Sequence, residues 1–214
     1  MTNYIKYPRT PHLPWSPGVS SDDVRILDTS VFEGKRIVVT EKMDGENTSL
    51  YCDHIHARSL DSRHHPSRDW VKQLHGRVAY HIPQNWRVCG ENLYALHSVA
   101  YQQLASYFYG FSIWDEHNLC LSWAETEEWF ALLGIHSVPV LYQGIWDETA
   151  IRELAVNTET MEGYVVRLAD AFEYASFKHS VAKWVRPHHV QTDQHWMFAE
   201  LVPNGLQEAS HENQ

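Results

Sequence analysis

The chain has 214 residues, 43% of them hydrophobic and 21% charged, with a net charge of −10. This composition suits a soluble globular protein of one large or two small domains with a proper core. It argues against a general nucleic-acid coat, while leaving room for a local basic groove.

In chain order, the opening "MTNYIKYPRTPHLPWSPG" lacks the apolar segment of a secretory signal. Residues 1–20 read as a Pro-rich arm, either packed on the domain or acting as a mobile lid. Strand-like runs follow at 36–40, 48–52, 86–90, 109–114, 138–142 and 163–168. Asp44-Gly45 lies between the first two, and it reads as a hairpin turn. Ser67 is placed to cap a helix whose apolar positions Trp70, Val71, Leu74 and Val78 fall at helical spacing. In "SWAETEEWFALLG", Ser122 and Glu125 form a capping box and Gly134 marks the stop. Asp147 caps a third helix through Ala155. After Arg186, residues 187–214 predict one helix over 192–201 and a polar tail, too little for a five-stranded oligonucleotide-binding barrel. The strands do not alternate regularly with helices, which favours an α+β fold of antiparallel sheets in a single domain over a doubly wound parallel sheet.

No apolar stretch approaches a membrane span. Cys52, Cys89 and Cys120 are odd in number and widely separated, as for reduced thiols in a cytoplasmic protein. His54, His56, His64 and His65, and again His188, His189 and His195, lack an established ligand pattern and read as surface histidines. The tryptophans read as core and clamp residues. Arg63, Arg68 and Lys72 form a candidate phosphate-facing patch or a solvated helix face.

Five separated stretches carry the chemistry. "EKMDG" contains Lys42, "HARS" Arg58, "CGEN" Glu91, "EGYVVR" Glu162, and "AKWVR" both Lys183 and Arg186. In this order they resemble the covalent nucleotidyltransferase superfamily of polynucleotide ligases and RNA-capping enzymes, and the RNA ligases most. The resemblance runs from about Ile37 to Arg186 and implies the fold of an ATP-dependent ligase adenylation domain, with antiparallel sheets flanked by helices.

On that resemblance Lys42 is the nucleophile that takes AMP from ATP, splitting one hard transfer into easier steps. Neighbouring cations or a metal-bound environment are then expected to lower its pKa. Asp44 and Gly45 aim it, and Glu41 reaches the adenine through its backbone. Arg58 holds the nucleotide or the end being joined, Glu91 the ribose hydroxyls, and Phe111 stacks on the adenine. Glu162 lies near the divalent metal, Mg²⁺ or Mn²⁺, that assists attack. Lys183 sits on the α-phosphate, with Lys178 or Arg186 as the second cation. The implied activity is joining of RNA 5′-phosphate and 3′-hydroxyl ends, with a partner protein or domain available for substrate binding. The alternatives are a nucleotidyltransferase acting on another acceptor such as a DNA end, or a non-catalytic nucleotide- or RNA-binding descendant.

Overall fold

The computed structural model describes residues 3–188 and 200–208. Its strands are β1 (Arg36–Lys42), β2 (Glu46–Leu50), β3 (Ile55–Ala57), β4 (Arg87–Asn92), β5 (Phe108–Trp114), β6 (Leu119–Cys120), β7 (His136–Ser137), β8 (Val140–Ile145), β9 (Gly163–Leu168), β10 (Phe172–Glu173) and β11 (Val181–Val185). The helices are α1 (Asp69–Val78), α2 (Trp123–Leu133) and α3 (Glu148–Arg152). The strands form two sheets, one ordered β11-β9-β1-β8, the other β10-β6-β5-β4-β2-β3 with β7 beside β5. All pairings between named strands are antiparallel except β5 with β7. The architecture is thus the expected α+β arrangement of antiparallel sheets with helices.

The central strands are buried on both faces: in β1, Ile37 and Val39 enter one core and Val38 another. Leu50, Val88, Phe108 and Ile113 meet Val71, Leu74 and Val78 of α1 and Phe130 of α2 in one core. Ile37, Val39 and Val166 meet Leu13 and Phe32 in another. Trp114 and Trp123 are fully buried. On α2 the capping box is complete, and Gly134 takes the left-handed conformation (φ 68°) that ends the helix.

Several local expectations differ from the structure. Asp44-Gly45 is not a hairpin turn, because β1 pairs with β8 and β9 while β2 pairs with β3 and β4. The turn carries the chain from one sheet to the other. Ser67 does not cap α1; it lies buried in a 3-10 turn, Pro66–Arg68, capped by His65 Nδ1. Asp147 caps α3 as expected, but α3 ends at Arg152 rather than Ala155. Leu154 and Val156 instead turn inward against the second core. The run at 138–142 becomes β8 two residues later: Val138 donates to Gly110 O, and Pro139 carries no N–H for a ladder.

The N-terminal arm is packed. Leu13 N–H donates to Lys183 O and Lys183 N–H to Pro11 O, so the arm extends the first sheet beyond β11. The expected helix over 192–201 falls mostly outside the described residues, as do His189 and His195. No helix among the described residues is long and apolar enough to cross a membrane.

Candidate active site

Between the sheets and the arm lies a cavity of about 900 Å³. Its floor follows from strand register. Lys42 pairs with Gly163, Thr40 with Val165 and Val38 with Arg167, while β11 sets Lys183 opposite Val165. Residues two apart share a face, so Lys42, Val165, Arg167 and Lys183 all line one space. From Gly163 to Arg167 the strand rises about 13 Å. Phe111, Tyr7, Cys120 and Phe172 line the apolar end. Tyr7 meets Phe111 edge-on at 5.3 Å between ring centres.

At the polar end, Lys42 Nζ donates to Glu162 Oε1 at 2.8 Å, with the lysine partly open to the cavity and the glutamate buried. Glu91 Oε1 accepts from Gly45 N–H at 3.1 Å. Asp44 is 6% exposed, and its Oδ2 accepts from Ser98 N–H and Oγ–H and from Val99 N–H at 2.7–2.8 Å. Gly45 is required by a close approach: a Cβ there would lie 2.4 Å from Asn92 O.

The electrostatics of this cluster reverse one expectation. Burial alone would lower Lys42, but the charges of Glu162, Glu91 and Asp44 outweigh it and hold the amine above its ordinary value. The lowered lysine is Lys183, brought to about 8 by burial and by the like charge of Lys42. Burial pushes Glu91 up to about 8, helped by Glu162 and Asp44 and opposed by Lys42. Glu41 is raised by burial.

The cavity therefore gathers Glu41, Lys42, Asp44, Gly45, Arg58, Glu91, Phe111, Glu162 and Lys183. It does not gather Lys178, which is exposed on the 3-10 turn Tyr174–His179, nor Arg186, which donates to Thr158 O and, at 3.3 Å, to Ser98 Oγ. Lys178 points away because residues 174–179 leave the sheet before β11 begins. Arg68, from the candidate phosphate patch, is held by both oxygens of Glu46 at 2.6 and 2.7 Å, and Lys72 Nζ lies 2.9 Å from His64.

Sequence reasoning missed Arg167, Tyr7 and Asp23 of the cavity wall. Arg167 is 4% exposed, donates to Leu121 O and Leu168 O, and its Nη1 has no hydrogen-bond partner among the described residues. The period-two alternation from Gly163 could have found it; nothing local marks Tyr7 or Asp23.

A divalent cation fits the oxygen donors here in one way. Among the described residues, no group of three metal-ligating side chains is arranged to hold an ion. A hard cation held by one or two carboxylates and completed by phosphate oxygens suits this donor set.

A family model described as RNA ligase matches residues 35–185. The chain belongs to the RNA ligase family. No curated protein matches it. Among solved structures, a Naegleria gruberi RNA ligase with PPi superposes at TM-score 0.55 and 19% identity, over 84% of this chain and 57% of that one. A mutant of the same ligase with ATP and Mn gives 0.54 and 17%, over 73% and 51%. An archaeal ATP-dependent RNA ligase gives 0.53 and 17%, over 84% and 48%. These likenesses carry the fold, and this RNA ligase family member spans about half the length of those relatives. The family span contains both cavity lysines, whereas the arm and residues 200–208 lie outside it.

Proposed function

We propose that the chain is an ATP-dependent RNA ligase that joins 5′-phosphate and 3′-hydroxyl ends through a lysyl-AMP intermediate on Lys42. The observation that carries this reading is the meeting of Lys42, Glu162 and Lys183 at one end of a cavity whose other end holds Phe111.

Lys42 Nζ attacks the α-phosphorus of ATP. A P–N bond forms, the bond to the bridging oxygen breaks, and pyrophosphate leaves. Before attack the amine sheds a proton, and Glu162 Oε1 at 2.8 Å is the acceptor in reach. Lys183 stabilises negative charge building on the phosphate. Glu91 accepts from the ribose hydroxyls, Glu41 contacts the adenine through its backbone, and Phe111 stacks on it, with Arg58 toward the phosphates or the RNA end. Asp44 and Gly45 hold the turn that aims the amine. AMP then passes to an RNA 5′-phosphate, and a 3′-hydroxyl displaces it to seal the strand. Mg²⁺ or Mn²⁺, held by Glu162 together with phosphate oxygens, would neutralise phosphate charge when bound.

Family membership and the described partners of Asp44 and Glu162 favour catalysis over a binding-only role. Neither Lys178 nor Arg186 lines the cavity, so Arg167 is the better candidate for the second cation. Two further points belong to the proposal. A partner protein or domain would help grip the RNA, and the three free thiols suit a reducing cytoplasm.

The test is direct. Incubation with α-labelled ATP and Mg²⁺ or Mn²⁺ should leave an acid-labile, base-stable AMP on Lys42, chaseable onto a 5′-phosphorylated RNA. AMP mapped to a different lysine would overturn the assignment.

A further inference from the structure

Residues 200–208 lie beyond the family span, yet they are stitched into the molecule. Leu96 N–H donates to Val202 O, Gly205 N–H to Tyr101 O and Leu104 N–H to Gly205 O. Gly205 approaches so closely that a Cβ would stand 2.6 Å from Gln102 O.

At the centre is Asn204, 4% exposed and bonded through every polar group it has. Its N–H donates to Tyr94 O at 2.8 Å and its Oδ1 accepts from Tyr101 N–H at 3.0 Å. Its Nδ2 donates to Leu93 O and Ala95 O at 2.8 and 3.3 Å, and its carbonyl accepts from Tyr107 O–H at 2.7 Å. A buried amide so engaged fixes the segment between β4 and β5 in one arrangement.

That segment holds the turn after Lys42. Tyr101 Oη accepts from Asp44 N–H at 2.8 Å, and Ser98 and Val99 supply the donors to the Asp44 carboxylate. Tyr101 thus meets Asn204 through its backbone and Asp44 through its hydroxyl. We propose that the strap of residues 200–208 belongs to the adenylylation machinery, with Asn204 acting as a positioning residue that, through Tyr101, fixes the Asp44 turn and so aims Lys42.

The inference rests on the Lys42 reading, and the test separates the two. Single-turnover AMP transfer is followed in wild type, Asn204→Ala, Tyr101→Phe and the double variant, at a temperature where each is folded. Asn204→Ala should slow transfer about ten- to a hundredfold, as for a small misplacement of reacting atoms. The half-saturating ATP concentration should change less than about threefold, because ATP binding is left intact. The double variant should be less impaired than the product of the two single effects, since both act on one linkage. If Asn204→Ala does not fold, Asn204→Ser takes its place, and Tyr101→Phe alone still reads the last link. Wild-type transfer rates in these variants, or effects that multiply independently, would overturn the strap's role. A wild-type protein that takes no AMP would instead remove the Lys42 reading itself.

Discussion

The core beneath α1 and the cavity around Lys42 are built partly on the same strands, yet they follow opposite rules. β4 contributes Val88 to the core and Glu91 to the cavity; β5 contributes Ile113 to one and Phe111 to the other. In the core, apolar side chains fill the space and the flanking helix α2 is capped at both ends. In the cavity, charged groups face one another with burial working against them: Glu91 and Lys183 are both displaced to about 8, from opposite directions. The difference teaches where stability and reactivity reside. The core holds the strands in register so that the cavity can keep charges no solvated surface would perturb.

The sharpest way to break this contrast is at Lys42. Lys42→Ala should lower AMP transfer from ATP by at least about a thousandfold, as expected for loss of a nucleophile. Sealing of a pre-adenylated RNA should persist in part below the variant's melting temperature; gel-based labelling with each substrate checks the two arms. The opposite substitution is Phe130→Ala, at a ring against which Gly110 has no room for a Cβ. It should lower unfolding free energy by about 3–5 kcal/mol, from lost burial and the cavity left behind. Labelling of Lys42 should be retained below the new melting temperature.

A smaller effect concerns pH. The folded protein keeps a proton on Glu91 up to about 8, whereas the ordinary value is 4.5. Stability from this group is therefore full below 4.5 and is lost as pH rises through about 8. Lys183, lowered from 10.5 to about 8, acts in the adjoining window: its contribution is present above 10.5 and is lost as pH falls toward 8. Glu91→Gln should flatten the decline between 4.5 and 8 in denaturant unfolding followed across pH. A slope equal to wild type would refute the assignment to Glu91. The smallest effect is Ser122→Ala, which removes the cap of α2 and should cost about 1 kcal/mol of stability, with AMP transfer unchanged.

What was legible in the sequence was local. The capping box of Ser122 and Glu125, the stop at Gly134 and the strand from Gly163 rest on neighbours a few residues apart, and the structure keeps all of them. The predicted site residues that line the cavity, from Lys42 to Lys183, lie in or beside strands whose apolar pattern is readable. What failed depends on distant partners. Asp-Gly announces a turn, but not which sheet the next strand joins, and the donors that hold Asp44 come from Ser98 and Val99. Ser67 had the residue type of a helix cap, but His65 and Pro66 moved that role two residues upstream. Lys178 and Arg167 show the same limit. Both are cations near apolar strand residues; alternation from Gly163 puts Arg167 on the face of Val165, and the register of β9 against β1 and β11 shows that this face lines the cavity.

The crossing at Met43–Gly45 has a mechanical consequence. Only residues 43–45 join β1 to β2, residues 138–139 join β7 to β8, and residues 169–171 join β9 to β10. Each link passes between the sheets, and three extended residues reach at most about 10–11 Å. Three such short tethers leash the two sheets to each other, so their facing edges stay within a few residues' reach wherever a link crosses.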